Sequence, residues 1–423
     1  MKGSWRPILT GALRERALAA VKEIAVALPK HLHRDSPDAF LANGHAGLAI
    51  TYFYLAQSGL SNNRETNKYL KKATESMTSK TTATSLYGGF TGIAWTLAHL
   101  NRRTFTAEMA DCQQKFDRVL LSHLAHGSWN GFYDLIDGLV GVGVYALERL
   151  PDPTAVKCLK LLVDRFEEMA IYQSTGITFS TPSDFLPHKQ KEHCPNGYYD
   201  VGVAHGVAGV IALLGGVCAT GVAHEKARAL LNGAVKWLIS QKIKGSVQGC
   251  FPYYVVPGIR RKKARLAWCY GDAGIASALL VAARCAKEPA WEQEALKIAG
   301  SSANRNPDQT AVVDAGLCHG AAGLGHMYNR IYQATGEIWS RKAATFWFKR
   351  ALDLRMPGEG VAGFLCYWRD DDKKPQWIEE VGFLQGAAGI ALALLSATTR
   401  VEPAWDRLLL LSSRTYQHEI KKH

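Results

Sequence analysis

An all-α toroid is the fold this sequence predicts: seven inner helices, about seven outer ones, and a few inserted loops or short hairpins. Two observations lead there. A Gly-x-x-Gly followed by an apolar run recurs seven times, at Gly44/Gly47, Gly89/Gly92, Gly138/Gly141, Gly206/Gly209, Gly271/Gly274, Gly320/Gly323 and Gly386/Gly389. Between these runs lie charged segments whose apolar residues fall three and four apart, as they do on surface helices.

The runs after the glycines, such as residues 48–53, 210–214, 275–280 and 390–395, are apolar on nearly every side, which marks a buried helix. The amphipathic segments are 13–28, 108–124, 154–169, 225–240, 340–354 and 405–420, leaving a spare outer candidate at one terminus. A first glycine lets the loop turn sharply into its helix, and the second lets neighbouring backbones approach closely. Three stretches rich in Gly and Pro break the pattern, at about 172–203, 244–267 and 356–376, and read as loops or short hairpins inserted between helices. A single domain over residues 1–423 is expected.

Composition narrows the class. At 423 residues and 47% hydrophobic, the chain can bury a large core, yet no apolar run approaches the ~18 residues of a membrane span. Residues 1–29 carry charge throughout and do not resemble a signal peptide, so a cytoplasmic location is expected. Nine scattered cysteines form no disulfide framework, and Cys158, Cys218 and Cys285 read as small buried hydrophobes. The net charge of +13 favours acidic partners: an acidic peptide, nucleic acid or an anionic membrane surface. No nucleic-acid-binding signature accompanies it. The dense run Arg260-Arg261-Lys262-Lys263 reads, on composition alone, as a solvated loop.

Aligning the repeats on their first glycine isolates the chemistry. The preceding residues are Asn43, Gly88, Asp137, His205, Tyr270, His319 and Gln385, and a set so polar in an apolar context describes the rim of a ligand site. One position earlier, the fifth and sixth repeats carry Cys269 and Cys318. Two thiolates and the His319 imidazole would give a tetrahedral zinc three protein ligands and an open fourth position, the catalytic arrangement. Two buried cysteines and a satisfied histidine are the plainer alternative. His205 is a candidate acid or base. Asp134 and Asp137 could orient an imidazole or cap a helix. Arg265 could offset negative charge or merely end the basic loop.

In chain order, Tyr133-Asp134-Leu135-Ile136-Asp137-Gly138, Ala204-His205-Gly206, Trp268-Cys269-Tyr270-Gly271 and Cys318-His319-Gly320 resemble the motifs of the lanthionine synthetase C-like (LanC) cyclases, from about Gly44 to the C-terminus. The resemblance implies an α/α barrel with one Zn2+ held by Cys269, Cys318 and His319, and active-site positions at His205, Asp134, Arg265 and Tyr270. It implies addition of peptide cysteine thiols to dehydroalanine or dehydrobutyrine, forming lanthionine or methyllanthionine rings. In that chemistry His205 carries a proton, Arg265 offsets developing charge, and Asp134 positions the imidazole or Tyr270. The implied substrate is a dehydrated lanthipeptide precursor, leader plus core. The implied partners are a separate dehydratase and an export transporter, with peripheral association at the inner membrane face. Asp-Leu-Ile-Asp-Gly and Ala-His-Gly favour the free-standing bacterial lantibiotic cyclases over the eukaryotic relatives that add glutathione, which stay as an alternative.

Three other readings remain. A prenyltransferase β-subunit would use an Asp-Cys-His set and does not account for paired cysteines. A glycosidase toroid needs two well-separated carboxylates, and Asp134 and Asp137 are too close in sequence to flank a sugar. A peptide-binding scaffold would hold zinc structurally.

Overall fold

A computed structural model describes residues 5–32, 38–75, 83–100, 107–243, 245, 250–369 and 374–412. Its α-helices run, in chain order, α1 (Gly11–His31), α2 (His45–Gln57), α3 (Asn63–Glu75), α4 (Phe90–Leu100), α5 (Ala107–Ala125), α6 (Leu139–Arg149), α7 (Pro153–Met169) and a short α8 (His188–His193). They continue as α9 (Val207–Thr220), α10 (His224–Ser240), α11 (Asp272–Ala286), α12 (Pro289–Ala303), α13 (Ala321–Thr335), α14 (Ile338–Asp353) and α15 (Ala387–Thr398). Helices α2, α4, α6, α9, α11, α13 and α15 each open directly after the first glycine of a repeat.

These seven are the buried set. All twelve residues of α15 are buried, so no face of it is left for water. Helix α7 shows the other kind. It buries Ala155, Cys158, Leu159, Leu162, Val163 and Phe166, one stripe at helical spacing, and its remaining faces carry charge. Each large apolar side chain on such a stripe contributes about 1.5–3 kcal/mol by leaving water. Asp152 accepts the Thr154 N–H to cap α7, with Pro153 at the first helical position.

The residues group into two compact units. One comprises residues 1–83, 87–100 and 306–405. In it α13, α15, α2 and α4 pack as successive neighbours, with α14 on α13, α1 on α15 and α3 on α2. The other comprises residues 84–86, 101–305 and 406–423. There α6, α9 and α11 are successive neighbours, backed by α7, α10 and α12.

Main-chain hydrogen bonds stitch successive pre-helix loops within each unit. In the first, Cys318 N–H donates to the Leu384 carbonyl (2.8 Å), Phe383 N–H to Ala42 (2.6 Å) and Ala42 N–H to Tyr87 (3.0 Å). In the second, Leu86 N–H donates to Ile136 (3.0 Å), Leu135 N–H to Ala204 (3.1 Å) and Val203 N–H to Cys269 (2.9 Å).

The same loops explain the glycines. A helix start leaves its first N–H groups without intrahelical partners, and here the loop folds back so that its own carbonyls accept them. Ala321, Ala322 and Gly323 donate to Asp314, Ala315 and Gly316 at 2.9, 3.2 and 3.3 Å. Such close approach leaves no room for a Cβ. One on Gly323 would lie 1.9 Å from the Leu317 carbonyl oxygen, and one on Gly274 2.0 Å from that of Trp268.

Among the described residues three small antiparallel pairs complete the fold: β1 (Ile171–Gln173) with β2 (Gly176–Thr178), β3 (Tyr199–Asp200) with β4 (Tyr254–Val255), and β5 (Cys366–Arg369) with β6 (Pro375–Ile378). Helix α8 lies between β2 and β3. Lys244 and residues 246–249 and 370–373 of the inserted stretches lie outside the described residues. Over the part that is described, residues 405–412, the amphipathic stretch 405–420 is not an α-helix. A 3-10 helix covers Ala404–Leu409, residues 413–420 are not described, and Trp405, Leu408 and Leu409 are buried. The outer helices missed by periodicity are α3 and α12. In α3 only Thr66, Tyr69, Leu70 and Ala73 are buried, and in α12 only Ala295, Ile298, Ala299 and Ser302, so their apolar stripes are short.

Candidate active site

The seven residues that precede the first glycines are all at least partly exposed, whereas every one of those glycines is buried. Each turn therefore hides its glycine while the residue before it reaches the surface. On these turns stand His205, Tyr270 and His319, with Cys269 and Cys318 one residue before the latter two.

His205 Nδ1 lies 2.6 Å from Asp134 Oδ2. Asp134 is buried, and its other oxygen accepts the Asp137 N–H at 2.8 Å, which fixes the carboxylate. Asp134 thus orients an imidazole instead of capping a helix; the cap position of α6 is Gly138, with no side-chain cap bond. Burial lowers the imidazole's pKa, but the Asp134 hydrogen bond and the charges of Asp134, Asp200 and Asp137 outweigh it and raise the pKa to about 9. The His205 side chain keeps 41% of its surface exposed, so this protonated group remains reachable.

Tyr270 packs its ring against His205, with centroids 6.4 Å apart and planes at 29°. Its hydroxyl donates to Asp200 Oδ2 at 3.0 Å, and its edge meets Tyr253 at 5.3 Å. Arg265 is fixed through its backbone, whose N–H donates to the Tyr253 hydroxyl at 3.0 Å. Gly271 follows with φ +91°, a conformation suited to glycine, because the Arg265 carbonyl oxygen stands 1.9 Å from where a Cβ would be. Among the described residues the Arg265 guanidinium is not bonded to any of the other predicted site residues. Asp200 and Tyr253 were missed from sequence because both lie in stretches read as inserted loops.

On the other turn, His319 Nε2 lies 3.7 Å from Asp314 Oδ2. Asp314 is buried, and its oxygens also accept the N–H groups of Gly316 and Tyr367, each at 3.1 Å. One ligand atom from each of Cys269, Cys318 and His319 lies within 4.8 Å of the others. Tetrahedral zinc with S and N ligands needs such atoms about 3.6–3.8 Å apart, and two thiols with an imidazole are a donor set that suits it. None of the nine cysteines forms a disulfide, so both sulfurs are in the thiol state.

The sequence profile described as lanthionine synthetase C-like protein matches residues 36–410. The chain belongs to that family. Among curated relatives it is similar to the nisin biosynthesis protein NisC of Lactococcus lactis subsp. lactis, 24% identical over 356 residues, which is 77% of each chain. Among solved structures it is similar to nisin cyclase, with a TM-score of 0.73 at 19% identity over 94% of this chain and 98% of that one. The fold of this LanC-like protein is accordingly the all-α toroid its repeats predict. A sugar epimerase from a ruminal bacterium matches at a TM-score of 0.52 and 10% identity over 91% of this chain and 99% of that one. One architecture thus hosts different chemistries, and the function of this LanC-like chain has to be argued from its site. No helix among the described residues is long and apolar enough to cross a membrane.

Proposed function

We propose that this LanC-like protein is a zinc-dependent lanthipeptide cyclase that joins cysteine thiols of a dehydrated precursor peptide to dehydroalanine or dehydrobutyrine. The observation that carries the reading is the set of two thiols and an imidazole within 4.8 Å. Zinc held by Cys269, Cys318 and His319 would supply a thiol pKa low enough for the substrate cysteine to react as thiolate. Asp314 Oδ2, 3.7 Å from His319 Nε2, would add negative charge beside that ligand.

The chain's own residues then handle the proton. Addition forms a C–S bond at the β-carbon and moves the π electrons toward the carbonyl as an enolate, which must be protonated at the α-carbon. His205, held as imidazolium by Asp134, acts as the general acid. Tyr270 shapes the surface beside the imidazole. Arg265 offsets the enolate's negative charge when substrate is bound. The thiol's proton leaves as the α-carbon's proton arrives, so ring closure leaves the peptide mass unchanged.

That balance dictates the test. A dehydrated precursor is incubated with the protein, alkylated at free thiols and weighed. Loss of alkylation without a change in mass reports ring closure, and a chelator should abolish it. Addition of the mass of glutathione, when glutathione is present, would favour the glutathione-transfer alternative. Full alkylation in every sample would refute the enzyme reading and leave a zinc-binding scaffold.

A further inference from the structure

Four of the seven pre-helix loops carry an acid six residues before the first glycine: Asp38, Asp200, Asp314 and Glu380. In each, one carboxylate oxygen accepts the N–H two residues on, from Phe40 (2.7 Å), Gly202 (2.8 Å), Gly316 (3.1 Å) and Gly382 (2.8 Å). This bond braces the turn and is common to all four. Asp200 does more. Its second oxygen accepts the Tyr270 hydroxyl at 3.0 Å, in a site only 1% exposed. Gly202 completes the cradle, since a Cβ there would meet the Tyr270 ring at 2.7 Å and the Cys269 carbonyl oxygen at 2.4 Å. The ring is thereby set between Tyr253 and His205.

We propose that Asp200 is a positioning residue of the cyclisation site, acting through the Tyr270 hydroxyl to keep that ring against the proton-bearing His205. The assignment rests on the cyclase reading above. Asp200 touches no reacting atom in it. Its first oxygen holds the loop, and its second keeps the phenol pointing inward as a donor. Asp200→Asn separates the two jobs: the amide oxygen can still brace Gly202, whereas the amide NH2 replaces an acceptor with a donor opposite the phenol.

Two measurements decide the proposal. The first needs no turnover. Ultraviolet resonance Raman spectra of wild type minus Tyr270→Phe isolate one tyrosine of sixteen, and the Fermi-doublet ratio reports whether its hydroxyl donates. A strong-donor ratio that is lost in Asp200→Asn supports the contact; a ratio unchanged by the substitution overturns it. The second is a double-mutant cycle on ring closure. Asp200→Asn and Tyr270→Phe should each lower kcat about 10- to 100-fold, with KM and zinc content near wild type, and the double variant should be no slower than the worse single. Losses that multiply would make Asp200 a loop brace alone, and a fully active Tyr270→Phe, which deletes only the hydroxyl, would overturn the proposal even if Asp200→Asn fails to fold. If wild type closes no ring, the cyclase reading falls and the positioning role with it, while the Raman comparison still decides the contact.

Discussion

At the scale of single residues, the proposed metal and proton roles fall to different side chains. His205 shares the repeat position of His319, yet Ala204 stands where Cys318 does, and its Nδ1 is taken by Asp134. His205→Asn should therefore slow ring closure by roughly 10²- to 10⁴-fold, measured by the alkylation assay, with slow uncatalysed thiol addition setting the floor. The pH dependence has a definite sign. A histidine raised from 6.5 to about 9 is protonated at neutrality, so a general-acid rate should hold through neutral pH and fall as pH rises through about 9. The same shift favours the folded state most fully below pH ~6.5, and that contribution fades through about 9. In Asp134→Asn the main raising influence is removed, and the alkaline limb of kcat/KM should move to lower pH. An unmoved limb would mean that another group sets it.

Among the elements, the repeated turn is what makes the site, and its glycines are spatial requirements. The two ends of α13 provide a controlled comparison. Gly336 ends the helix at φ +77° with open space around it, so Gly336→Ala should cost only about 1 kcal/mol of backbone strain. Gly323 lies under the Leu317 carbonyl, and Gly323→Ala should cost more, about 1–3 kcal/mol, and lower the zinc content by displacing the loop that bears Cys318 and His319. Thermal unfolding midpoints and metal analysis of the two variants check this; equal midpoints would contradict it. The seven inner helices were legible because Gly-x-x-Gly before an all-apolar run has one physical use, a helix start packed on its own loop. Helix α3 was not, because its few buried residues give too short a stripe. The acids six residues before the glycine also lay in plain sight. An alignment carried only two residues upstream could not reach Asp200 or Asp314, whose importance depends on contacts made far along the chain, to Tyr270 and Tyr367.

For the whole molecule, charge is the open lever. Arg260, Arg261, Lys262 and Lys263 are exposed and line one groove with Lys242, on the chain segment that leads to Arg265 and Cys269. The isolated backbone bridge between Pro252 and Lys263 ties the end of that run to the start of its own inserted segment. With +13 on the chain, the groove should attract an acidic leader. Reversing Arg260 and Lys262 to Glu should weaken precursor binding and flatten its salt dependence; unchanged affinity at low and high salt would return the run to a solvated loop. Zinc content per chain separates the proposed metal ligands Cys269, Cys318 and His319 from the proposed proton carrier His205. About one zinc is expected in wild type and in His205→Asn, with a marked loss in Cys269→Ala, Cys318→Ala and His319→Ala. Full zinc in those three variants, or loss of zinc in His205→Asn, would contradict that division of roles.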